Sequence, residues 1–291
     1  MNELHEKYGG GTKWYLNPAN YEDHFLNDHD RRKYIEDFYA DMSRHDARKN
    51  LKALEEHDEK LSVAEREAVI RERMKRQKDI HYGQVVPIEE IEQILRMTGC
   101  IMRFACLCRY MYEGGVEFRS CYLLAKDKDS ALKDLIVNVH SEYLDGPDVK
   151  GIEIVDADEA IRHFREMDKM GLVHTVWTLH TPYTATICNC DPVHCSSMYT
   201  STKSKANSTL FMADFIAQVD KDACIGCRRC KMACQFAALE YSPVTKKITV
   251  NAKRCIGCGL CRVQCVKGAI TLVDRESNPE SAGFYEIHDR P

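Results

Sequence analysis

The sequence lacks the features that assign many chains to a class at once. No apolar run approaches the roughly 18 residues of a membrane-spanning helix. There is no P-loop, dinucleotide-binding glycine motif or serine-type triad, and Gly9-Gly10-Gly11 does not join a strand to a helix. The start, Met1 to Glu6, lacks the basic-then-apolar layout of a secretory signal. We therefore expect a cytoplasmic protein without a membrane span and without a recognisable flavin or nicotinamide site of its own.

An excess of charge is also missing. The net charge is −4 over 291 residues, which argues against bulk attraction to nucleic acid. Hydrophobic residues make up 44% of the chain and charged residues 30%, a globular composition rather than a disordered one. At about 150 residues per domain, the length suggests two domains.

Cysteine, in contrast, is abundant, with 15 residues. Thiols stay reduced in the compartment expected here, so disulfides are disfavoured. The cysteines recur at short, repeated spacings, which is typical of metal or cluster ligation. We therefore expect the cysteines to carry the function.

The pattern along the chain predicts an α+β protein with four parts. These are a charged helical arm, a cysteine-containing mixed α/β domain, a cysteine-rich C-terminal domain and a tail, at 1–85, 86–210, 211–275 and 276–291.

The arm contains no cysteine and has two predicted helices. Ser62 and Glu65 form a capping-box pattern at the start of the second. The first carries one apolar stripe at helical spacing, formed by Tyr34, Ile35, Phe38, Tyr39 and Met42. Two interpretations remain open: a hairpin packed on its own protein, or an arm laid on a partner subunit.

The middle domain alternates predicted helices and strands. One helix runs from Pro87 to Gly99, and another begins after Asp156 and ends at Gly171. Residues 197–209 are predicted to form a loop. Strands are predicted at 100–106 and 117–124, with Gly114-Gly115 turning between them, and at Leu172–Leu179 and Ala185–Cys190.

The C-terminal domain repeats one motif, C-x2-C-x2-C-x3-C. Two-residue gaps let a short loop wrap three thiolates round a cubane, while the fourth cysteine, predicted to start a helix, points to the other cluster. Gly226 and Gly257 are predicted to let the backbone pass close to inorganic sulfur. The two blocks are Cys224, Cys227, Cys230, Cys234 and Cys255, Cys258, Cys261, Cys265.

Residues of about 215–275 resemble the bacterial-type ferredoxins that carry two [4Fe–4S] clusters. The resemblance implies a ferredoxin-like dicluster domain, in which each cluster takes its fourth cysteine from the other block. Gln235 and Val266 stand where proline normally follows the fourth cysteine. The alternative from spacing is a pair of four-cysteine zinc sites. The implied ligand sets are Cys224, Cys227, Cys230 and Cys265 for one cluster, and Cys255, Cys258, Cys261 and Cys234 for the other.

The same domain is unusually basic. Only Asp222 and Glu240 are acidic between residues 221 and 270. Such a surface would steer the domain to an acidic partner, although it is also compatible with an ordinary solvated face. The basic residues are Lys221, Arg228, Arg229, Lys231, Lys246, Lys247, Lys253, Arg254, Arg262 and Lys267.

Seven further cysteines lie upstream. Two C-x-C pairs are predicted on separate strands, where both thiols of a pair share a face and four could meet one metal. A third iron–sulfur cluster and a mixed cysteine–histidine zinc site both remain open, as do buried cysteines acting only as small hydrophobes. His174, His180 and His194 lie nearby in sequence. The candidate ligands are Cys106, Cys108, Cys121, Cys188, Cys190 and Cys195, with Cys100 left over.

The middle region resembles a group of multi-cysteine ferredoxin-domain proteins of anaerobic microbes. The shared elements are Cys106 to Arg109, Cys121, Gly171 to His174, Cys188 to Cys190, and Trp14 to Pro18.

The sequence therefore predicts an iron–sulfur electron-transfer subunit of an oxidoreductase complex, in an anaerobic cytoplasm. Its expected partner is a flavoprotein or a substrate-reducing subunit, in a hetero-oligomer and without nucleic acid. One alternative is a self-contained reductase whose catalytic metal site is formed by the upstream cysteines. Another is a zinc-binding interaction module.

Overall fold

The computed structural model describes residues 2–40, 47–113, 118–139, 151–204, 206 and 208–287. Met42, the Gly114-Gly115 turn and the start of the predicted strand at 117 lie outside these residues. None of the described helices is both long and apolar enough to cross a membrane. The fold is α+β, as the sequence predicts, with N-terminal helices and a separate C-terminal domain.

The N-terminal segment packs on the rest of the chain. Ile35 and Tyr39, in the apolar stripe of α2, are buried in the core beneath the main sheet, so the chain itself covers this stripe. Ser62 and Glu65 form the predicted capping box at the start of α4. The helices are α1 (Glu3–Gly9), α2 (His29–Ala40), α3 (Ala47–Asp58) and α4 (Val63–Ile80), with short 3-10 turns at Trp14–Leu16, Pro18–Tyr21 and Asp23–Asn27.

A seven-stranded sheet organises the described middle of the chain, in the order β4-β2-β3-β6-β5-β1-β7. Neighbouring strands are antiparallel except β1 and β7, which are parallel. The strands are β1 (Gly83–Val85), β2 (Cys100–Phe104), β3 (Cys121–Ala125), β4 (Glu153–Ile154), β5 (Val173–Thr178), β6 (Thr184–Cys190) and β7 (Leu210–Phe211).

Helices cover both faces of this sheet because both faces are apolar. Ile91 and Ile94 of α5 pack with Phe164 of α8 on one face, and α2 packs with α7 on the other. As predicted, Asp156 caps α8, and Gly171 ends it in the left-handed conformation. The bounds are α5 (Ile88–Met97), α6 (Leu107–Tyr112), α7 (Ala131–Val137), α8 (Ala157–Met170) and α9 (Ser196–Lys203).

Two of the predicted elements need correction. The strand predicted at 100–106 ends at Phe104, and Cys106 instead precedes α6. The loop predicted at 197–209 contains most of α9. The first C-x-C pair therefore lies at a helix start, and only Cys188 and Cys190 share a strand.

The C-terminal domain is built from two small antiparallel sheets, β8 with β11 and β9 with β10. Its short helices follow the cysteine loops. The bounds are β8 (Phe215–Val219), α10 (Arg229–Ala233), β9 (Leu239–Ser242), β10 (Lys247–Val250), α11 (Leu260–Val263) and β11 (Ile270–Asp274).

Candidate metal centres

The two C-terminal cysteine blocks fold as matched halves. In each, the amide four residues after the last cysteine donates a hydrogen bond to that cysteine's sulfur. Ala238 N donates to Cys234 Sγ at 3.4 Å, and Ala269 N donates to Cys265 Sγ at 3.3 Å. The apolar residue that follows each alanine begins a strand. Each half of the repeat is therefore a loop in which a backbone amide bonds a cysteine sulfur, followed directly by a strand.

Each half contributes three cysteines to one cavity and one to the other. The two cavities are similar in size, and each is lined by four cysteines. We call the first group the outer cysteine set, with Cys224, Cys227, Cys230 and Cys265 lining its cavity. The inner cysteine set is Cys234, Cys255, Cys258 and Cys261.

The backbone and its packing require glycine at two positions in these loops. Gly226 and Gly257 have φ of +67° and +80°. A Cβ would lie 2.1 Å from the Lys246 carbonyl oxygen at Gly226, and 2.2 Å from that of Phe215 at Gly257. Glycine is thus required by the left-handed backbone and by tight packing behind the loops.

The fourth cysteine also differs from prediction. Cys234 follows the last residue of α10 instead of starting a helix. Cys265 likewise comes after α11 has ended.

An all-thiolate donor set, four sulfurs to a cavity, fits the ligand preference of iron–sulfur clusters. The class of the domain is therefore an iron–sulfur, ferredoxin-like domain. Residues 217–272 match the family model of a 4Fe-4S dicluster domain. A search of curated proteins finds no match to this chain.

The two sets differ in exposure. Cys227 of the outer set is exposed, and the exposed side chains of Ile225 and Val266 line the same cavity. The inner set instead adjoins Phe236, Ile256 and Leu260, which are buried against the middle domain. Burial raises the pKa of the Cys261 thiol to about 12. The outer set therefore faces solvent, and the inner set faces the interior.

Some of the predicted basic surface has other roles. Arg262 forms an ion pair with Glu89 of α5 at 2.7 Å, which joins the two domains. Lys247 Nζ donates to the Cys224 carbonyl at 2.6 Å. Arg228 and Lys267 line the outer cavity and are exposed, as is Arg229. Part of the exposed positive charge, on Arg228 and Lys267, thus lies beside the outer set.

Arg275 fastens the loop of the inner set to the segment that leads into β8. Its guanidinium is fully buried and donates to the carbonyl oxygens of Ala213 (2.7 Å), Phe215 (3.0 Å), Cys255 (2.7 Å) and Phe284 (3.3 Å). Burial lowers the pKa of this arginine. A lone arginine beyond the last cysteine carries no spacing signal, so the sequence does not indicate this role.

A buried polar network, also missed, holds the segment between the domains. Asp214 accepts hydrogen bonds from Tyr15 OH at 2.8 Å and from Gln84 Nε2 at 3.2 Å, and its Oδ1 lies 2.8 Å from His5 Nε2. Tyr15 OH also lies 2.5 Å from Glu90 Oε2. The Trp14 to Pro18 motif therefore ties the N-terminus to the residue just before β8.

The six upstream candidates converge. Cys121 and Cys188 lie opposite each other on β3 and β6, with their Sγ atoms 3.4 Å apart. Cys190 is two residues further along β6, on the same face. The remaining three come from helix starts: Cys106 and Cys108 at α6, and Cys195 at α9. We call these six residues the thiol nest.

The thiols of the nest are close neighbours. Cys121 and Cys188 are in direct contact. Cys106 interacts with Cys108, Cys121 and Cys190, and Cys195 interacts with Cys108 and Cys190. The interaction with Cys106 raises the pKa of Cys108 to about 11. The six thiols therefore form one connected group.

The neighbouring histidines are occupied elsewhere. His174 uses Nδ1 with Asn189 (2.6 Å) and Nε2 with Asp168 (3.0 Å). His194 contacts Asp191 and Glu113. The thiol nest is therefore an all-sulfur group, which removes the basis for a mixed cysteine–histidine site.

Within the described residues, no three His, Cys, Asp or Glu side chains are arranged to hold a single metal ion.

Two further contacts hold the segments that carry the thiol nest. Arg109 Nη2 pairs with Asp191 at 2.5 Å, linking the residues that follow the two C-x-C pairs. Asn189 N and Nδ2 both donate to the Ser120 carbonyl, at 2.9 and 3.2 Å, which holds β6 beside the chain leading into β3.

Proposed function

We propose that the chain is an electron-transfer protein whose outer and inner cysteine sets each hold one [4Fe–4S] cluster. The observation that carries this is the pair of matched cavities, each lined by four cysteines drawn from both halves of the repeat. A bound [4Fe–4S] cluster takes up and releases one electron at a time. The domain at 211–275 is thus the redox domain of the proposal.

The chain's own groups would adjust the two sites differently. The amides of Ala238 and Ala269 donate to sulfur in one site each. Ala217 N adds a third such bond, to Cys255 Sγ at 3.4 Å. The buried guanidinium of Arg275 lies beside the inner set. Hydrogen bonds and positive charge both favour the more reduced state, so the third amide bond and Arg275 would each stabilise the reduced form of the inner site.

The outer set is the proposed contact for an acidic redox partner. Cys227 is exposed there, between the apolar side chains of Ile225 and Val266 and the cations of Arg228 and Lys267. A small apolar centre with a charged rim is typical of transient protein contacts, and complementary charge increases their association rate. This supports a role as a subunit that works with a flavoprotein or substrate-reducing partner.

Anaerobic purification of the full chain tests the cluster assignment. We expect at least about eight irons and eight acid-labile sulfides per chain, and a visible absorption that bleaches on reduction with dithionite. The variant Cys227→Ser should lower the count by up to about four irons. Colourless protein with zinc in these sites would overturn the assignment.

Charge reversal tests the docking surface, with an acidic flavodoxin as the one-electron acceptor. Arg229→Glu/Lys267→Glu should slow its reduction about tenfold at low ionic strength and much less in about 0.5 M salt. The control Lys60→Glu/Lys75→Glu changes the same charge on the distant helical segment and should stay within about twofold of the parent. Equal slowing by both pairs would contradict a local docking surface.

A further inference from the structure

The thiol nest differs from an ordinary set of buried cysteines. Its six thiols come from α6, β3, β6 and the start of α9, and every one contacts another. Cys100 provides the comparison within the same chain: it is buried in β2 opposite Ala125 and belongs to no such group. Burial as a small hydrophobe accounts for Cys100 but does not require six sulfurs to meet.

The donor chemistry of the nest limits what it can bind. Six thiols without imidazole or carboxylate form a soft donor set, which suits iron–sulfur centres, zinc or Cu(I). A single tetrahedral ion uses only four ligands. No three of the described side chains converge on one ion position. A centre with more than one metal atom is the kind of occupant that could use all six thiols.

The position of the nest identifies which centre fits. Cys190 and Cys195 belong to a continuous apolar core together with Phe236, Ile256 and Leu260, which line the inner cavity. Cys234 and Cys258 of the inner set pack against this same core. The nest and the inner set thus border the same apolar core, a placement useful to a redox centre.

We propose that the thiol nest holds a third iron–sulfur centre, with more than one iron, which exchanges electrons with the inner site. The presence of iron in the nest stands on the nest's own geometry, whereas the exchange rests on the proposed function. The outer set, the inner set and the nest then lead from the exposed surface to the buried end of the main sheet.

Metal and sulfide analysis of anaerobically purified full chain tests this. The parent should contain clearly more than about eight irons and eight sulfides. Cys106→Ser/Cys190→Ser removes two connected thiols and should bring the count back to about eight, with the C-terminal clusters as internal evidence of folding. The control Cys100→Ser should keep the parent's count. A parent with about eight irons, whether the nest holds zinc, a disulfide or free thiols, would overturn the proposal.

A second variant separates the two proposals. Cys227→Ser/Cys258→Ser disables the outer and inner sets and leaves the nest intact. Iron, sulfide and an electron paramagnetic resonance signal should persist in the reduced variant and differ from those of the parent's C-terminal clusters. If all iron is lost with these two cysteines, the nest proposal fails while the C-terminal assignment stands. If the parent has no C-terminal clusters but the variant retains iron, the C-terminal assignment fails while the nest proposal stands.

Discussion

The C-terminal cysteine sets and the thiol nest both bring several cysteines together, but different parts of the fold do so in each. The C-terminal cysteines come from two short loops and surround two small cavities. The nest is assembled by long-range strand pairing and helix starts, and its thiols touch. A site that takes three of its four cysteines from one loop keeps most of its shape locally, whereas a site built from a sheet depends on the register of that sheet. The two regions should therefore respond to different substitutions.

The largest expected effect is at Arg275, which joins the inner set to the segment before β8. Arg275→Leu leaves four carbonyl oxygens without this donor, and each unpaired buried group costs about 1–3 kcal/mol. We expect a loss of about 3–5 kcal/mol in the free energy of unfolding. Anaerobic guanidinium denaturation, followed by tryptophan fluorescence and by the visible absorption, measures it.

Arg229→Leu is the matched control, because Arg229 is exposed on the same domain. Its effect should stay within about 0.5 kcal/mol. Similar losses in both variants would show that Arg275 is not the joint described above.

A smaller effect, confined to the nest, is expected from Asn189→Ala. The amide side chain of Asn189 contacts the buried His174 and donates to the Ser120 carbonyl, so its removal leaves His174 Nδ1 unpaired and Ser120 with the backbone donor of Asn189 alone. We expect a loss of about 2–3 kcal/mol. Because β6 carries Cys188 and Cys190, iron held by the nest should fall as well, while the C-terminal clusters stay loaded.

Asn138→Ala serves as its control on an exposed helix end, and it should cost about 0.5 kcal/mol or less. Metal analysis beside denaturation checks both variants. Equal loss of C-terminal iron in Asn189→Ala would mean that the two regions do not respond independently.

The contrast also explains what the sequence could predict. Ligand spacing in a short loop is fixed by the loop itself, so the C-terminal domain and its α+β setting could be recognised from the repeat. The capping signals of Ser62 and Asp156 are equally local, and both predicted helices begin where expected. Signals of this kind depend on neighbouring residues only, so they can be recognised without the tertiary structure.

Contacts between residues that are far apart in the sequence could not be predicted in the same way. The strand predicted through Cys106 stops at Phe104 because the chain turns into α6, which spacing alone does not show. The pairings of Arg109 with Asp191 and of His174 with Asn189 join motifs that are far apart in sequence or on different strands. The contacts of Asp214 and Arg275 depend on how whole domains pack.

The smallest expected effect tests the buried network at the joint through its pH dependence. Burial raises the pKa of Glu90, although Lys13 and Tyr15 favour its ionised form. A raised pKa means that the folded state binds more protons, so this group's contribution to stability is lost as pH rises through its folded pKa. For Asp214 burial also acts to raise the pKa, but His5 and Lys13 outweigh it and lower the pKa, so its contribution is lost only on acidification.

Glu90→Gln should therefore remove the decline in stability that Glu90 causes above its ordinary pKa of about 4.3. The difference in the free energy of unfolding between variant and parent should shift in the variant's favour from pH 5 to pH 7, by less than the roughly 1 kcal/mol of one hydrogen bond. Glu56→Gln, on exposed α3, should show no such shift. A shift in the opposite direction would mean that Lys13 and Tyr15 overcome the burial of Glu90, and that the joint is held by a fully ionised pair.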